Sequence, residues 1–380
     1  MEIYINKNTK KYLMDRHKAK RGSHETQVHK EVHKNAHKGV NHNDAKYHDH
    51  ANLELKKEVV KKYHDKLQDL KDEIGKAVVG QHEVIDGFLR GLLARGHVLV
   101  EGVPGIAKTH LIKTLAIATG CKGSRIQFTV DLLPTDITGL TIYDQHKGFY
   151  TQKGPIFANF VLADEINRAP PKTQSALLEA MQEKQVTIGG KTYPLDEPFF
   201  VMATQNPIES EGTYRLPEAQ VDRFLYKLLM GYPKMDEEKQ VLKINATLRD
   251  FKDFKIKQAI SPREIIEMQK MTHKIYLSSD IEDYILRIVE ATRNPDKYKL
   301  RTGKYIEYGG SPRASISLFI SAKAQAILQG NNYVTPQYVK DVAKDVLRHR
   351  IILNYEGQAE KITNDQIVDE ILSKVPVQQN

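Results

Sequence analysis

The chain has 380 residues, 40% of them hydrophobic and 28% charged, with a formal net charge of +9 and one cysteine, Cys121. That is enough for about two domains with conventional cores, while no stretch approaches the roughly 20 apolar residues of a membrane-spanning helix. A single thiol excludes an internal disulfide framework, and with no apolar signal-like segment in residues 1–21 the cytoplasm is the expected compartment.

Residues 1–50 carry a net +5 and the other 330 only +4, so the body is not basic enough to read as a nucleic-acid surface by charge alone. The same 50 residues hold eight of the fifteen histidines among Lys, Asn, Asp and Gly, with too little apolar surface to bury a core. His29, His33 and His37 recur every fourth residue and would share a helix face able to hold a divalent metal. The plainer reading, a disordered polar tail, is preferred.

Leu55, Val59, Tyr63, Leu67, Leu70 and Ile74 predict an amphipathic helix that Gly75 ends. Val78-Val79-Gly80-Gln81 then leads to a second helical pattern through Val84, Ile85, Phe88, Leu89 and Leu92. The apolar run His97-Val98-Leu99-Val100 follows, then Gly102-Val103-Pro104-Gly105-Ile106-Ala107-Lys108-Thr109, then a helix over 111–119. Strand, glycine loop and helix is the order a phosphate cradle requires, because loop amides and the helix N-terminus both point positive charge at the ligand. Lys108 suits the β- and γ-phosphates and Thr109 a Mg2+ ion. Ala107 stands where the strict loop pattern has glycine, which leaves an ordinary turn with a chance Lys-Thr as the alternative.

Beyond Gly120, residues 125–130 predict a strand and 141–154 a hairpin. Phe160-Val161-Leu162-Ala163 reads as a buried strand ending in Asp164-Glu165. Pro170-Pro171 opens a helix with Ala176, Leu177, Ala180 and Met181 on one face. A second hairpin over 185–195 turns at Gly189-Gly190. Strands are expected over 199–204 and 224–230. After Tyr232-Pro233 the pattern is helical, as in Ile281, Tyr284, Ile285, Ile288 and Val289. No internal repeat is visible. The expected fold class is α/β, with a tail over 1–50, a parallel-sheet nucleotide-binding domain with helices on both faces and inserted hairpins over 51–231, and a small all-helical domain over 232–380.

Asp164, 56 residues after Lys108, can hold a Mg2+ shell, and Glu165 can take a proton from an attacking water. Asn206, ending the next strand in Gln205-Asn206-Pro207, either orients that water or is a turn residue. Arg223 either stabilises the transferring phosphoryl group or makes a surface salt bridge. Ser311 suits an N-cap and Pro312 the first helical position, which puts the Arg313 cation in a first turn whose dipole favours an anion partner.

Gly102 to Thr109, Leu162-Ala163-Asp164-Glu165-Ile166-Asn167-Arg168-Ala169-Pro170, Ala203-Thr204-Gln205-Asn206-Pro207 and Leu216-Pro217-Glu218-Ala219-Gln220-Val221-Asp222-Arg223-Phe224 together resemble the MoxR family of AAA+ ATPases, over roughly residues 55 to 370. In that family alanine is usual at the position of Ala107. The resemblance implies ATP and Mg2+ as cofactors, with Gly102, Val103, Pro104, Gly105, Ile106, Ala107, Lys108 and Thr109 as the Walker A loop and His110, Val79 and Gly80 completing the nucleotide contacts. It makes Asp164 and Glu165 the Walker B pair, Asn206 sensor 1, Arg223 an arginine finger and Arg313 sensor 2, with Arg215 a second finger candidate. It implies hairpins facing the pore of a ring, expected to be a hexamer, and chaperone-like remodelling of a protein client, for instance one with a von Willebrand factor A domain. A nucleic-acid remodeller and a scaffold that holds nucleotide without hydrolysing it stay open as alternatives.

Overall fold

The computed structural model describes residues 44–102, 108–146, 148–206, 214–245 and 250–378, with side chains from residue 57 onward except 244 and 245. His29, His33 and His37, and with them the metal reading of the tail, lie outside the described residues. Leu53–Asn380 form one compact unit.

Helix α1 (Asp44–Gly75) starts earlier than the apolar pattern suggests. Its buried stripe is Val60, Tyr63, Leu67, Leu70 and Ile74, with Val60 rather than Val59 fully covered. Helix α2 (His82–Leu93) buries Val84, Ile85, Phe88, Leu89 and Leu92 on the face its 3.6-residue period dictates. Then come β1 (Val98–Gly102), α3 (Lys108–Thr119), β2 (Gly123–Gln127), the short α4 (Pro134–Thr138), the hairpin β3 (Gly139–Asp144) and β4 (Gly148–Lys153), and β5 (Phe160–Asp164). Helix α5 (Pro171–Glu183), the hairpin β6 (Gln185–Ile188) and β7 (Lys191–Pro194), β8 (Phe200–Gln205), one turn of α6 (Glu218–Val221) and β9 (Tyr226–Met230) complete the α/β part.

The central sheet is five-stranded, in the order β2-β5-β8-β1-β9, with every neighbouring pair parallel. Side chains alternate across it, as the two-residue strand period demands. Val98, Val100, Phe160, Leu162, Phe200, Met202, Tyr226 and Leu228 enter one core, while Leu99, Val161, Ala163, Val201 and Ala203 enter another. Phe88, Phe160 and Phe200 meet edge to face in the first, with centroids 6.1 and 6.2 Å apart. Strand β2 is shifted towards the N-terminus of the expected 125–130: Gln127 is the last residue to pair, opposite Asp164, and Phe128 turns into the second core.

At the tip of the second hairpin Gly189 (φ 57°) and Gly190 (φ 81°) both occupy the left-handed region, the conformation a tight two-residue turn needs. The two hairpins lean on each other through Thr151 and Tyr193, whose hydroxyls are 2.9 Å apart. Tyr143 and Phe149 pair across the first hairpin with ring centroids 5.0 Å apart, and both are exposed.

The C-terminal part consists of α7 (Met235–Asn245), α8 (Pro262–Lys274), α9 (Ser279–Arg293), α10 (Pro312–Leu328), α11 (Pro336–Leu347), α12 (Tyr355–Ala359) and α13 (Asn364–Lys374). One short antiparallel pair, β10 (Ile306–Tyr308) with β11 (Ile352–Leu353), is added to the helices. The first core continues from α1, α2 and α3 into α8 to α11 and α13, so helix packing joins the two parts of the molecule. Lys66 on α1 meets Glu264 on α8 at 2.6 Å, and Arg90 on α2 meets Asp345 on α11 at 2.7 Å. Among the described residues no helix is long and apolar enough to cross a membrane.

Candidate active site

Strand β1 delivers the chain to Gly102, where any Cβ would lie 2.5 Å from the Met230 carbonyl oxygen. Only glycine lets the strand end so close to β9. Val103, Pro104, Gly105, Ile106 and Ala107 lie outside the described residues. Lys108 begins α3, and its ammonium folds back to donate to the Gly102 carbonyl at 3.1 Å. Burial pulls the Lys108 ammonium below its ordinary value, while Asp164 and Glu165 act in the opposite direction. A partly desolvated cation at a helix start is suited to an incoming polyphosphate.

Strand β5 ends at Asp164, and Glu165 follows in the left-handed region (φ 57°, ψ 50°). That turn frees the two carboxylates to point differently. Thr204 on β8 joins them: its hydroxyl donates to Asp164 Oδ1 at 2.7 Å and accepts the Glu165 amide at 2.9 Å. Arg125 donates to Asp164 Oδ2 at 2.7 and 3.2 Å, and Gln127 donates to Glu165 Oε2 at 2.8 Å. Arg168 reaches the same Glu165 oxygen at 3.0 Å. Asn206, buried, comes directly after β8. Pro207 is outside the described residues.

Because β8 separates β5 from β1, Asn206 lies between the carboxylate pair and the C-terminal end of β1. The donors fit a magnesium-bound nucleotide. One carboxylate, Asp164, and one hydroxyl, Thr109, suit an ion that keeps water and phosphate ligands. Among the described residues no group of three His, Cys, Asp or Glu could hold a metal alone.

The remaining expected contacts are scattered. His110, in the first turn of α3, stacks on Phe251 at 5.5 Å, and burial there, with Lys113 nearby, lowers its pKa. Gly80 (φ 69°) and the adjoining Val79 precede Gln81, which donates to the Gly231 carbonyl at 3.0 Å, and the Glu237 side chain rests against Gly80. Arg215 is exposed, next to Tyr214, whose amide donates to Asn167 at 2.6 Å.

Arg223 and Arg313 lie elsewhere. The chain enters β9 beside the start of β1, Leu225 donating to the His97 carbonyl at 2.8 Å. Arg223 therefore sits at the N-terminal end of the parallel strands, and Lys108 beyond the C-terminal end, separated by a strand length of about 13 Å or more. Ser311 caps α10 by accepting the Arg313 amide, with Pro312 at the first helical position as expected, and the anion Arg313 finds is Asp222, 3.5 Å away. Arg95, His97, Lys184, Asp222, Arg223 and Arg313 line one cleft of about 400 Å³. Within one subunit Arg313 is thus grouped with Arg223, not with Lys108, Asp164 and Glu165. Arg125 and Gln127 carry no motif of their own, and only the pairing of β2 with β5 shows their place, whereas Thr204 and Asp222 lie inside motif stretches that gave them no role of their own.

Residues 97–226 match the family model described as ATPase family associated with various cellular activities (AAA), and residues 298–371 match the AAA lid domain. Chaperone MoxR1 of Mycobacterium tuberculosis is 46% identical over 310 residues, covering 81% of each chain. Protein MoxR of Paracoccus denitrificans is 31% identical over 339 residues, 83% of this chain and 97% of that one. A crystal structure of a Cytophaga hutchinsonii protein assigned as an ATPase is 48% identical, with a TM-score of 0.80 over 87% of this chain and 99% of that one.

Proposed function

The chain belongs to the MoxR family of AAA+ ATPases, and on that premise we propose that it hydrolyses ATP with Mg2+ at sites shared between neighbouring subunits of a ring. The observation that carries this reading is the division of labour across the sheet. Lys108, Thr109, Asp164, Glu165 and Asn206 gather at one end, and the two candidate phosphate-stabilising arginines at the other. A strand length of about 13 Å is too far for Arg223 to reach its own subunit's phosphates, so a second subunit must bring the halves together.

In the assembled site Lys108 and the α3 N-terminus would hold the β- and γ-phosphates, and Thr109 with Asp164 would hold the ion, whose chemistry is to offset phosphate charge. Glu165 accepts the proton of the attacking water and Asn206 orients that water. Arg223, and beside it Arg313, enters from the neighbouring subunit to offset charge on the transferring group, a role worth roughly 10³ to 10⁵ in rate. We assign residues 51–231 to the nucleotide domain and 232–380 to the lid, and place the work of the ring, expected to be a hexamer in the cytoplasm, on a protein client. A client with a von Willebrand factor A domain is the one the family likeness suggests, and the low charge of the body weighs against DNA.

The test is ATP turnover per subunit as a function of protein concentration, for the native chain and for Arg223→Ala. Specific activity should climb with concentration and fall at least about 10³-fold in the variant. A flat rate that survives the loss of Arg223 would make each subunit self-sufficient and sink the shared site.

A further inference from the structure

We propose that Asp222 is a positioning residue that holds Arg223 and Arg313 in one cleft and makes their placement follow the lid; the inference rests on the shared-site reading. Asp222 immediately precedes Arg223, and its carboxylate receives three groups from the far end of the chain. Ser311 Oγ donates to Oδ2 at 3.0 Å, Arg313 Nη1 lies 3.5 Å from the same oxygen, and Arg350 Nε donates to Oδ1 at 2.9 Å. Ser311 and Arg313 form the first turn of α10, and Arg350 follows α11, so all three belong to the lid.

Arg350 is the anchor of this arrangement. Its side chain is 1% exposed, and it also donates to the carbonyls of Phe224 at 2.8 Å, Leu225 at 3.1 Å and Asp222 at 3.3 Å. His349 adds a bond to the Phe224 carbonyl at 3.1 Å. Residues 222–225 are therefore gripped through their backbone by lid side chains. A buried guanidinium demands a counter-charge, and Asp222 provides it while spending its second oxygen on the turn that carries Arg313.

Two consequences follow. Any rotation of α10 and α11 moves residues 222–225 with them, so Arg223 and Arg313 shift as a pair. Secondly, Asp222 screens the mutual repulsion of Arg223, Arg313 and Arg350, so that several cations can share one cleft before an anion arrives. Replacing the carboxylate by an amide keeps the shape and removes the charge.

The experiment uses the full chain with Asp222→Asn, alone and mixed with Lys108→Ala subunits. Lys108→Ala lacks a working nucleotide site of its own but keeps the cleft. Asp222→Asn should bind ATP at its own site with native affinity, measured by equilibrium dialysis. Its turnover should fall about tenfold or more through kcat rather than KM. Turnover should reappear on mixing, because the Lys108→Ala cleft then faces an intact nucleotide site. Native turnover in Asp222→Asn, loss of its own ATP binding, or a defect that mixing does not repair would each overturn the assignment. Arg223→Ala mixed with Lys108→Ala serves as the reference: if that pair also stays silent, the shared site itself is wrong, whatever Asp222 does.

Discussion

Asp164 has both carboxylate oxygens engaged before any cation arrives, Oδ1 by Thr204 and Oδ2 by Arg125. A Mg2+ ion that takes Asp164 must share Oδ2 with the guanidinium or displace it. Arg125 is half exposed, so the ion pair is a weak competitor, on the order of 1 kcal/mol. Arg125→Ala should therefore lower the Mg2+ concentration needed for half-maximal ATP binding by about three- to tenfold, read by titrating Mg2+ at fixed nucleotide. A requirement that stays the same or rises would mean that the two cations do not compete. Lys108, Asp164 and Glu165 were legible in the chain because each sits in a motif whose spacing states its chemistry. Arg125 and Gln127 lie in no motif, and Thr204 lies in one that does not state its role, since what makes them partners of the two carboxylates is the pairing of β2 with β5 and of β5 with β8.

At the level of elements, apolar period located the helices and strands, and it failed mainly at their ends. Strand β2 stops at Gln127, although Phe128 keeps to the face of Ile126, enters the same core and still donates its amide to the Asp164 carbonyl at 2.9 Å. A cap was legible at Ser311-Pro312, and the structure shows a second of the same kind at Ser261-Pro262, which starts α8. The second cap has a measurable pH signature. Glu264 closes a capping box on the Ser261 amide and meets Lys66 of α1 at 2.6 Å. Lys66 first, and the Ser261 amide next, hold the Glu264 carboxyl down to about 2. A carboxylate whose pKa is lower in the fold than in the unfolded chain adds stability above the ordinary range, and that stability is lost as the pH falls through 4 towards 2. Glu264→Gln should cost about 1 kcal/mol at pH 7, after allowance for partial exposure. The gap in thermal midpoint between native and variant should narrow by pH 3, and a constant gap would mean that the charge contributes nothing.

For the whole molecule, the decisive feature is which end of the sheet each functional group occupies, and this was not readable from motifs in order along the chain. Arg223 reads in the sequence as an arginine finger of a ring and Arg313 as a further nucleotide contact, and the fold puts both at the end of the sheet opposite Lys108. The same junctions that fix this arrangement hold two buried histidines. His97, just before β1, donates from Nε2 to the Met181 carbonyl at 3.1 Å and accepts the Val201 amide at Nδ1 at 3.0 Å, so it is neutral in the fold. Burial drives its pKa down to about 4. His349, on the lid side of residues 222–225, is pushed well below its usual value by burial and then by Arg350. In the unfolded chain both titrate near 6.5, so below that pH the unfolded state binds protons that the fold refuses. Stability should be flat above about pH 7 and fall as pH drops from 6.5 towards 4, by roughly 3 kcal/mol from His97 alone. Urea unfolding at pH 7.5, 6 and 4.5 measures the slope, and His97→Gln, which cannot take up the proton, should flatten it even if the variant is less stable at every pH. An unchanged slope in that variant would mean that the acid sensitivity of the junction does not come from His97.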